Sequence, residues 1–360
     1  MKKFIIKKIA LVLVLCGAGL IILVVALKNK HADPSKEASQ PEKETSSPIV
    51  EPVKPEAVEP VPHEATDLPD VVKQKKTVAS PEKVMLDILT EIKTLDISGA
   101  VRDIVGLGKK NDYQSRIKAM RKLGRDLSSD DIKALMLFLD SRSQNQDNIR
   151  MLAFNGVKND VLTVLLAQDE LPEGFGSKLV EMYNDNEHDD VWRDYCVQYF
   201  AEYYQAKWAV GEVPEDDKEH GEINSAYWQA VTEKDKTIAG TALIGLESLS
   251  RDYKGFDREK IKQAAVDLAN DPDCLEASKI TALRMCGMLN NADALPSARI
   301  VAQTGETTML RMAAIATVGD LGDEEDIEFL NSMVGSSEKR ISAIAKPALE
   351  RVKARISEKK

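Results

Sequence analysis

The chain is poor in the residues from which catalytic centres are usually built. Four histidines, His31, His63, His188 and His220, lie far apart. Four cysteines, Cys16, Cys196, Cys274 and Cys286, include no Cys-x-x-Cys pair. There is no His-Glu-x-x-His, no Gly-x-Ser-x-Gly and no phosphate-binding glycine loop. These absences exclude the common metal, acyl-transfer and nucleotide signatures. No catalytic residue, metal or cofactor is expected, and the chain reads as not an enzyme. Strand signals are also scarce, with no sustained alternation of β-branched residues. Basic charge is short as well. Residues 81–360 carry 37 Lys and Arg against 49 Asp and Glu, a net of −12. Phosphate binders need the opposite balance, so nucleic acid is not an expected partner.

Apolar residues in a long run occur once. Ile9 to Leu27 are nineteen residues without a charge, preceded by Lys2, Lys3, Lys7 and Lys8 and followed by Lys28 and Lys30. A helix of that length rises roughly 28 Å, close to the hydrocarbon thickness of a bilayer. The sequence predicts a short cytoplasmic segment over 1–8 and a transmembrane helix over 9–27. Val24-Val25-Ala26 also satisfies a small-x-small cleavage pattern. Leu13 to Cys16 resembles a bacterial lipobox, but Leu15 stands where that motif has a small residue. The lysine bias places the N-terminus in the cytoplasm and the remainder outside, as a single-pass inner-membrane protein with an extracytoplasmic, periplasmic domain.

Residues 28–80 are predicted to be a disordered spacer. Between His31 and Ser80 lie eight prolines and seven glutamates, with no aromatic residue. Proline fixes φ and removes backbone donors, so polyproline II is the natural local state. The composition resembles the Pro/Glu-rich spacer of TonB-type envelope proteins.

Residues 81–360 read as an all-α domain. Ser80-Pro81-Glu82 is a helix start, with a capping serine and proline at the first position. Ser128 and Asp131 form a capping-box pattern ahead of Ile132, Leu135, Met136 and Leu139. Asp271-Pro272 is expected to open another helix. Within Glu338 to Ile356, Pro347 is expected to kink or divide the helix. The C-terminal third repeats itself: Ile280 to Leu289 aligns with Met312 to Leu321 at an offset of 32 residues. Weaker copies lie at Thr237–Leu246, Arg116–Gly124 and Ile149–Phe154. Periods of this size built from paired helices indicate a solenoid.

From Leu310 to Leu330 the chain resembles a HEAT-like repeat of the phycobilisome-lyase type. Arg311 and small residues mark one helix, Gly319 to Asp323 mark a turn, and Glu324, Glu325 and Asp326 begin the next helix. The resemblance is clearest over 276–355 and implies an α-solenoid of helical hairpins. It implies no bilin chemistry.

Eleven of the eighteen aromatic residues fall between Phe175 and Trp228. At 3.6 residues per turn, Trp192, Tyr195, Tyr199 and Tyr203 form one stripe, and Cys196, Phe200, Tyr204 and Trp208 form the next. Two readings stand. Both stripes pack inward as core, or the tyrosine-rich one lines a binding surface with Trp192, Tyr195, Tyr199, Tyr203, Tyr204 and Trp208 as protein-binding residues. The acidic segments Glu212–Glu222 and Asp185–Asp190 read as solvated loops, without the oxygen spacing of an EF-hand. Cys196, Cys274 and Cys286 read as buried thiols, with a Cys274–Cys286 bridge as the alternative. The whole describes a membrane-anchored scaffold or adaptor for an unidentified protein partner. Self-association and action on envelope polymers are the alternatives.

Overall fold

The structure, a computed structural model, describes residues 80–358 apart from 110–111, 143–147, 211–212 and 215. The expected membrane helix at 9–27, the cytoplasmic segment at 1–8 and all but the last residue of the 28–80 spacer lie outside these residues. Among the described residues, no helix is long and apolar enough to cross a membrane.

The described residues are all-helical, with no strand among them. The helices are α1 (Pro81–Ile92), α2 (Gly99–Ile104), α3 (Tyr113–Met120), α4 (Ser129–Leu139), α5 (Asn148–Leu166), α6 (Phe175–Asn184), α7 (Asp190–Lys207) and α8 (Lys218–Val231). They continue as α9 (Ile238–Ser250), α10 (Arg258–Asn270), α11 (Glu276–Met288), α12 (Leu295–Thr304), α13 (Thr308–Leu321), α14 (Asp326–Val334) and α15 (Lys339–Glu358). From α3 onward each odd-numbered helix packs on the next odd one, and from α4 onward each even helix packs on the odd helix that follows it. The result is a two-layer, solenoid-like stack in which contacts run mainly between successive hairpins. The repeat copies at 116–124, 149–154, 237–246, 280–289 and 312–321 fall on α3, α5, α9, α11 and α13. The two C-terminal copies sit on helices that begin 32 residues apart, at Glu276 and Thr308.

Helix starts follow local chemistry. Ser80, Ser98, Asp112, Asp189 and Thr307 accept from backbone N–H groups of the first turn and satisfy donors a helix leaves open. Ser128 likewise accepts from Asp131 N at 3.1 Å. The Asp131 carboxylate, however, does not complete the expected box. It accepts from Ser98 N at 2.8 Å and so joins α4 to the start of α2.

Three local expectations are corrected. Asp271 closes α10, where it accepts from Asp273 N at 2.8 Å and from Lys234 at 2.7 Å, and α11 begins only at Glu276. An Asx turn and an ion pair hold the backbone out of the helix there. The expected division of the helix at Pro347 does not occur, and α15 runs on past it. Its side chain is exposed, so the ring displaces no neighbouring helix. Gly319 lies within α13 and takes no left-handed conformation. Its role is close approach: a β-carbon there would stand 2.6 Å from the Ala348 backbone of α15. The three described cysteines are free and buried, so no Cys274–Cys286 bridge is present.

Candidate functional site

The aromatic helix α7 is the centre of the domain. It is capped by Asp189, whose carboxylate accepts from Trp192 N at 3.0 Å and from Asn155 of α5 at 2.8 Å. Of the six expected binding residues, Trp192, Tyr199, Tyr203, Tyr204 and Trp208 are buried, and Tyr195 is half-buried. The binding-surface reading of the stripe is therefore corrected for five of them. Rings at helical spacing find partners on both neighbouring layers: Tyr203 meets Phe175 edge-on at 5.6 Å, Tyr204 meets Tyr253 at 4.8 Å, and Phe200 meets Tyr227 at 5.2 Å. Only Tyr195 keeps an accessible edge.

The hydroxyls and charges beneath these rings form three buried polar clusters. In the first, Arg193 of α7 donates to both oxygens of Glu233 at 2.6 and 2.9 Å and to the Tyr183 carbonyl at 2.7 Å. Tyr183 donates to the same carboxylate at 2.7 Å and Lys236 at 2.9 Å. Burial pushes the Glu233 carboxyl up, and these bonds outweigh it and hold it below its ordinary range.

In the second cluster, Glu219 of α8 accepts from Tyr203 at 2.5 Å, from Lys207, and from Ser177 N at 3.1 Å. The last bond caps α6 from another helix. The residue before α6 is Gly174, which has a left-handed φ of 69° and no side chain to cap with. The acidic segment ending at Glu222 is thus not a solvated loop throughout. Its C-terminal part begins α8, and Glu219 is buried. An open depression of about 480 Å³ lies alongside, lined by Pro172, Ser177, Tyr203, Lys207, Lys218 and Glu219 among others.

The third cluster surrounds Lys158 of α5. Its ammonium donates to the Ser141 carbonyl at 2.9 Å and lies 3.8 Å from the centre of the Trp192 ring. Burial lowers its pKa to about 7, despite the neighbouring Cys196, Asp189 and Asp140. Burial likewise lowers His188 to about 3, assisted by Lys158, and raises the Cys196 thiol to about 12. The Asp185–Asp190 segment is accordingly part of the fold: His188 is buried and Asp185 accepts from Arg142 at 2.8 Å.

What remains accessible is the outward stripe of the odd-numbered layer. On α7 it comprises Asp194, Tyr195, Gln198, Glu202 and Gln205, on α5 Asp160 and Thr163, and on α9 Thr241, Ile244 and Ser248. Desolvation raises the carboxyls of Asp160 and Glu202, and no cation acts on either. Asp194 is raised for the same reason, although its carboxylate accepts from Thr237 at 2.6 Å. Glu202 is open to water and yet surrounded by protein on most sides, as a group in a recess would be. These three acids were not singled out in the sequence. Their signal is there in the 194, 198, 202 and 205 spacing, a polar stripe on an otherwise buried aromatic helix.

No family model matches this chain, and no curated protein matches it. Among solved structures, it is similar to human deoxyhypusine hydroxylase in complex with glycerol. The identity is 14%, the match covers 76% of this chain and 100% of the other, and the TM-score is 0.30. That protein is an enzyme by its name, so the expectation that this chain is not an enzyme is corrected: missing sequence motifs do not exclude catalysis in a helical chain. At this TM-score the similarity carries nothing further.

Proposed function

We propose that the described domain is a HEAT-like solenoid that binds another protein through the outward face of its odd-numbered helices. A membrane helix at 9–27 and the spacer at 28–80 would hold it on the extracytoplasmic side. The observation that carries the reading is the α5–α7–α9 stripe, where Asp160, Asp194, Glu202, a tyrosine edge and an exposed Ile244 lie together and the acids have no ion-pair partners. Repeat arrays offer such faces because each unit is stabilised by its neighbours and its outer stripe is left free. The test is site-specific photo-crosslinking in the intact membrane protein. A crosslinker at Gln198 should yield a discrete protein adduct, and one at Asp267 on α10, an exposed residue of the other layer, should not. Equal labelling from both positions contradicts the reading.

A second reading is an enzyme acting on envelope polymers. It is favoured by the carboxyls of Asp160, Asp194 and Glu202, which desolvation raises above their ordinary range, since acids shifted in that direction are suited to proton transfer. Incubation of the full chain with an isolated envelope polymer tests it. Release of fragments that is lost in Glu202→Gln supports it, and no release sinks it.

A further inference from the structure

On the outward face of the odd-numbered layer, three unlike side chains line up across neighbouring helices. Helices α7 and α9 run in register. Thr237 donates to Asp194 at 2.6 Å towards one end of their seam, and Gln205 donates to Ser248 at 3.3 Å towards the other, each pair 43 residues apart in sequence. Glu202 of α7 and Ile244 of α9 therefore stand within about 1.5 Å of one level along the helix axes. Between α9 and α11, Gly240 N donates to Ser278 Oγ at 3.2 Å, and a β-carbon at Gly240 would stand 3.2 Å from Thr281 Oγ1. One helical turn further on, Ile244 comes level with Arg284 of α11.

The fold uses none of the three outward ends. Ile244 is 47% exposed. Arg284 is exposed and makes no hydrogen bond, ion pair or ring contact with a described residue. The neighbouring arginines of this layer are held: Arg311 meets Glu338 at 2.6 Å and Arg351 meets Asp320 at 2.7 Å. Glu202 is exposed, and no cation acts on it. The surface around the row is small and uncharged, with Thr241, Ser248, Ala277 and Thr281. The row thus reads acid, apolar, cation. Turned half a circle about a line along α9 it reads cation, apolar, acid, so it is its own complement.

We infer that two copies of this chain pair face to face through α7, α9 and α11, about a two-fold axis running along α9. Ile244 meets its counterpart on the axis, and Glu202 of each copy meets Arg284 of the other. Such an isologous contact closes at two copies. A guanidinium pairs with a carboxylate through two parallel hydrogen bonds, which suits an arginine standing free among small neighbours. A two-fold axis across the helices at the same level would set Glu202 against Glu202 and Arg284 against Arg284, and like charges select against it. The inference rests on the reading of the face as a binding surface and names the partner as a second copy. Three helices about 8–10 Å apart and about three turns long present on the order of 500 Å² per copy, the low end for a specific interface. Pairing therefore needs a high local concentration, which tethering on one membrane would supply.

The experiment is photo-crosslinking of the full chain in intact membranes from a benzophenone placed at Gln198, one turn before Glu202. The wild type gives an adduct of twice the chain mass, with the crosslink on α11 of the second copy. Glu202→Arg and Arg284→Glu each set like charges together twice, and each lowers that yield at least about tenfold. The two changes combined in one chain restore the yield to within about twofold of wild type, and so does a mixture of the two single variants told apart by an epitope tag. Both side chains are exposed, so the thermal midpoints of these variants stay near that of the wild type. A double-mass adduct indifferent to either reversal means that the copies meet elsewhere, and the proposal falls. It falls equally if the combined variant and the mixture fail to restore the yield. An adduct with a different protein alone overturns the pairing and leaves the binding reading standing. No adduct from Gln198 removes both.

Discussion

In α11, α13 and α15 neighbouring helices meet through glycine and alanine, whereas α5, α7 and α8 meet through tyrosine, tryptophan and buried charge. Spacing along the chain differs in step. Helices α11, α13 and α15 begin at residues 276, 308 and 339, while α5, α7 and α9 begin at 148, 190 and 238. The shorter repeats bring helices into close approach, so that Gly319 faces Ala348 and Gly287 faces Asp320. The longer central repeats fill the space between helices with rings, and their hydroxyls and the charges beneath them need partners. The regular region leaves its sequence pattern visible, and the irregular one hides it.

That contrast can be broken at specific residues. The largest effect is expected at Arg193→Ala, which leaves Glu233 buried without its main partner. It should cost about 2–4 kcal/mol in urea unfolding, because Glu233 loses its bidentate cation and keeps only Tyr183 and Lys236. A loss below about 1 kcal/mol would mean the central ionic clusters are ornamental to stability.

Glycine separates the regions next. Gly319→Ala puts a β-carbon against the α15 backbone and should cost about 1–3 kcal/mol through overpacking. Gly221→Ala in α8 meets nothing within 4 Å and should stabilise by about 0.5–1 kcal/mol through helix propensity. Calorimetric midpoints moving in opposite directions would confirm that the α13–α15 seam has no room for a β-carbon at Gly319 while the exposed turn of α8 has room at Gly221.

Lys158 gives a pH signature. Its folded pKa of about 7 lies below the value near 10.4 of an unfolded chain, so between these values the unfolded state binds the extra proton. Stability should therefore rise with pH from about 7, by at most ~1.4 kcal/mol per unit. Near pH 8.5–9 the Cys196 thiol, held neutral by the fold, begins to oppose the gain. Lys158→Met should flatten the rise and add about 1–2 kcal/mol at pH 7, since replacing a buried charge by an apolar group is often stabilising. A wild-type profile flat between pH 7 and 8.5 would count against the neutral buried amine.

The smallest effect belongs to Tyr195, the one stripe residue with an open edge. Tyr195→Ala should cost below about 1 kcal/mol, against about 3–5 kcal/mol for fully buried Tyr204→Ala. Equal losses would show that the two stripes are not distinguished by burial.

Helix type and the C-terminal repeat were legible in the sequence because small residues recur there at a constant offset. The copy on α7 was not, since Trp192, Tyr199 and Phe200 replace the small residues that mark the pattern on α11 and α13. Asp271-Pro272 misled because the same dipeptide that starts a helix also closes one when the aspartate finds a neighbour such as Lys234. Burial of five of the six aromatics turned on what the neighbouring helices place opposite them, which no single-helix periodicity contains. The acids of the outward stripe were overlooked for a related reason. Asp160 and Glu202 are ordinary surface residues in sequence, and only the fold brings them to one face with no cation between them.

The most direct test weighs core against face by photo-crosslinking the full chain from Gln198 in the intact membrane protein. Conservative changes in the core, Trp208→Phe and Tyr204→Phe, should lower the unfolding midpoint and leave the adduct yield within about twofold of wild type, as distant and independent sites do. Asp160→Asn, Asp194→Asn and Glu202→Gln together should lower the adduct yield several-fold and spare the midpoint. The reverse pattern, with binding lost in the aromatic variants and kept in the amide variant, would contradict the assignment of the rings to the core and of recognition to the acidic face.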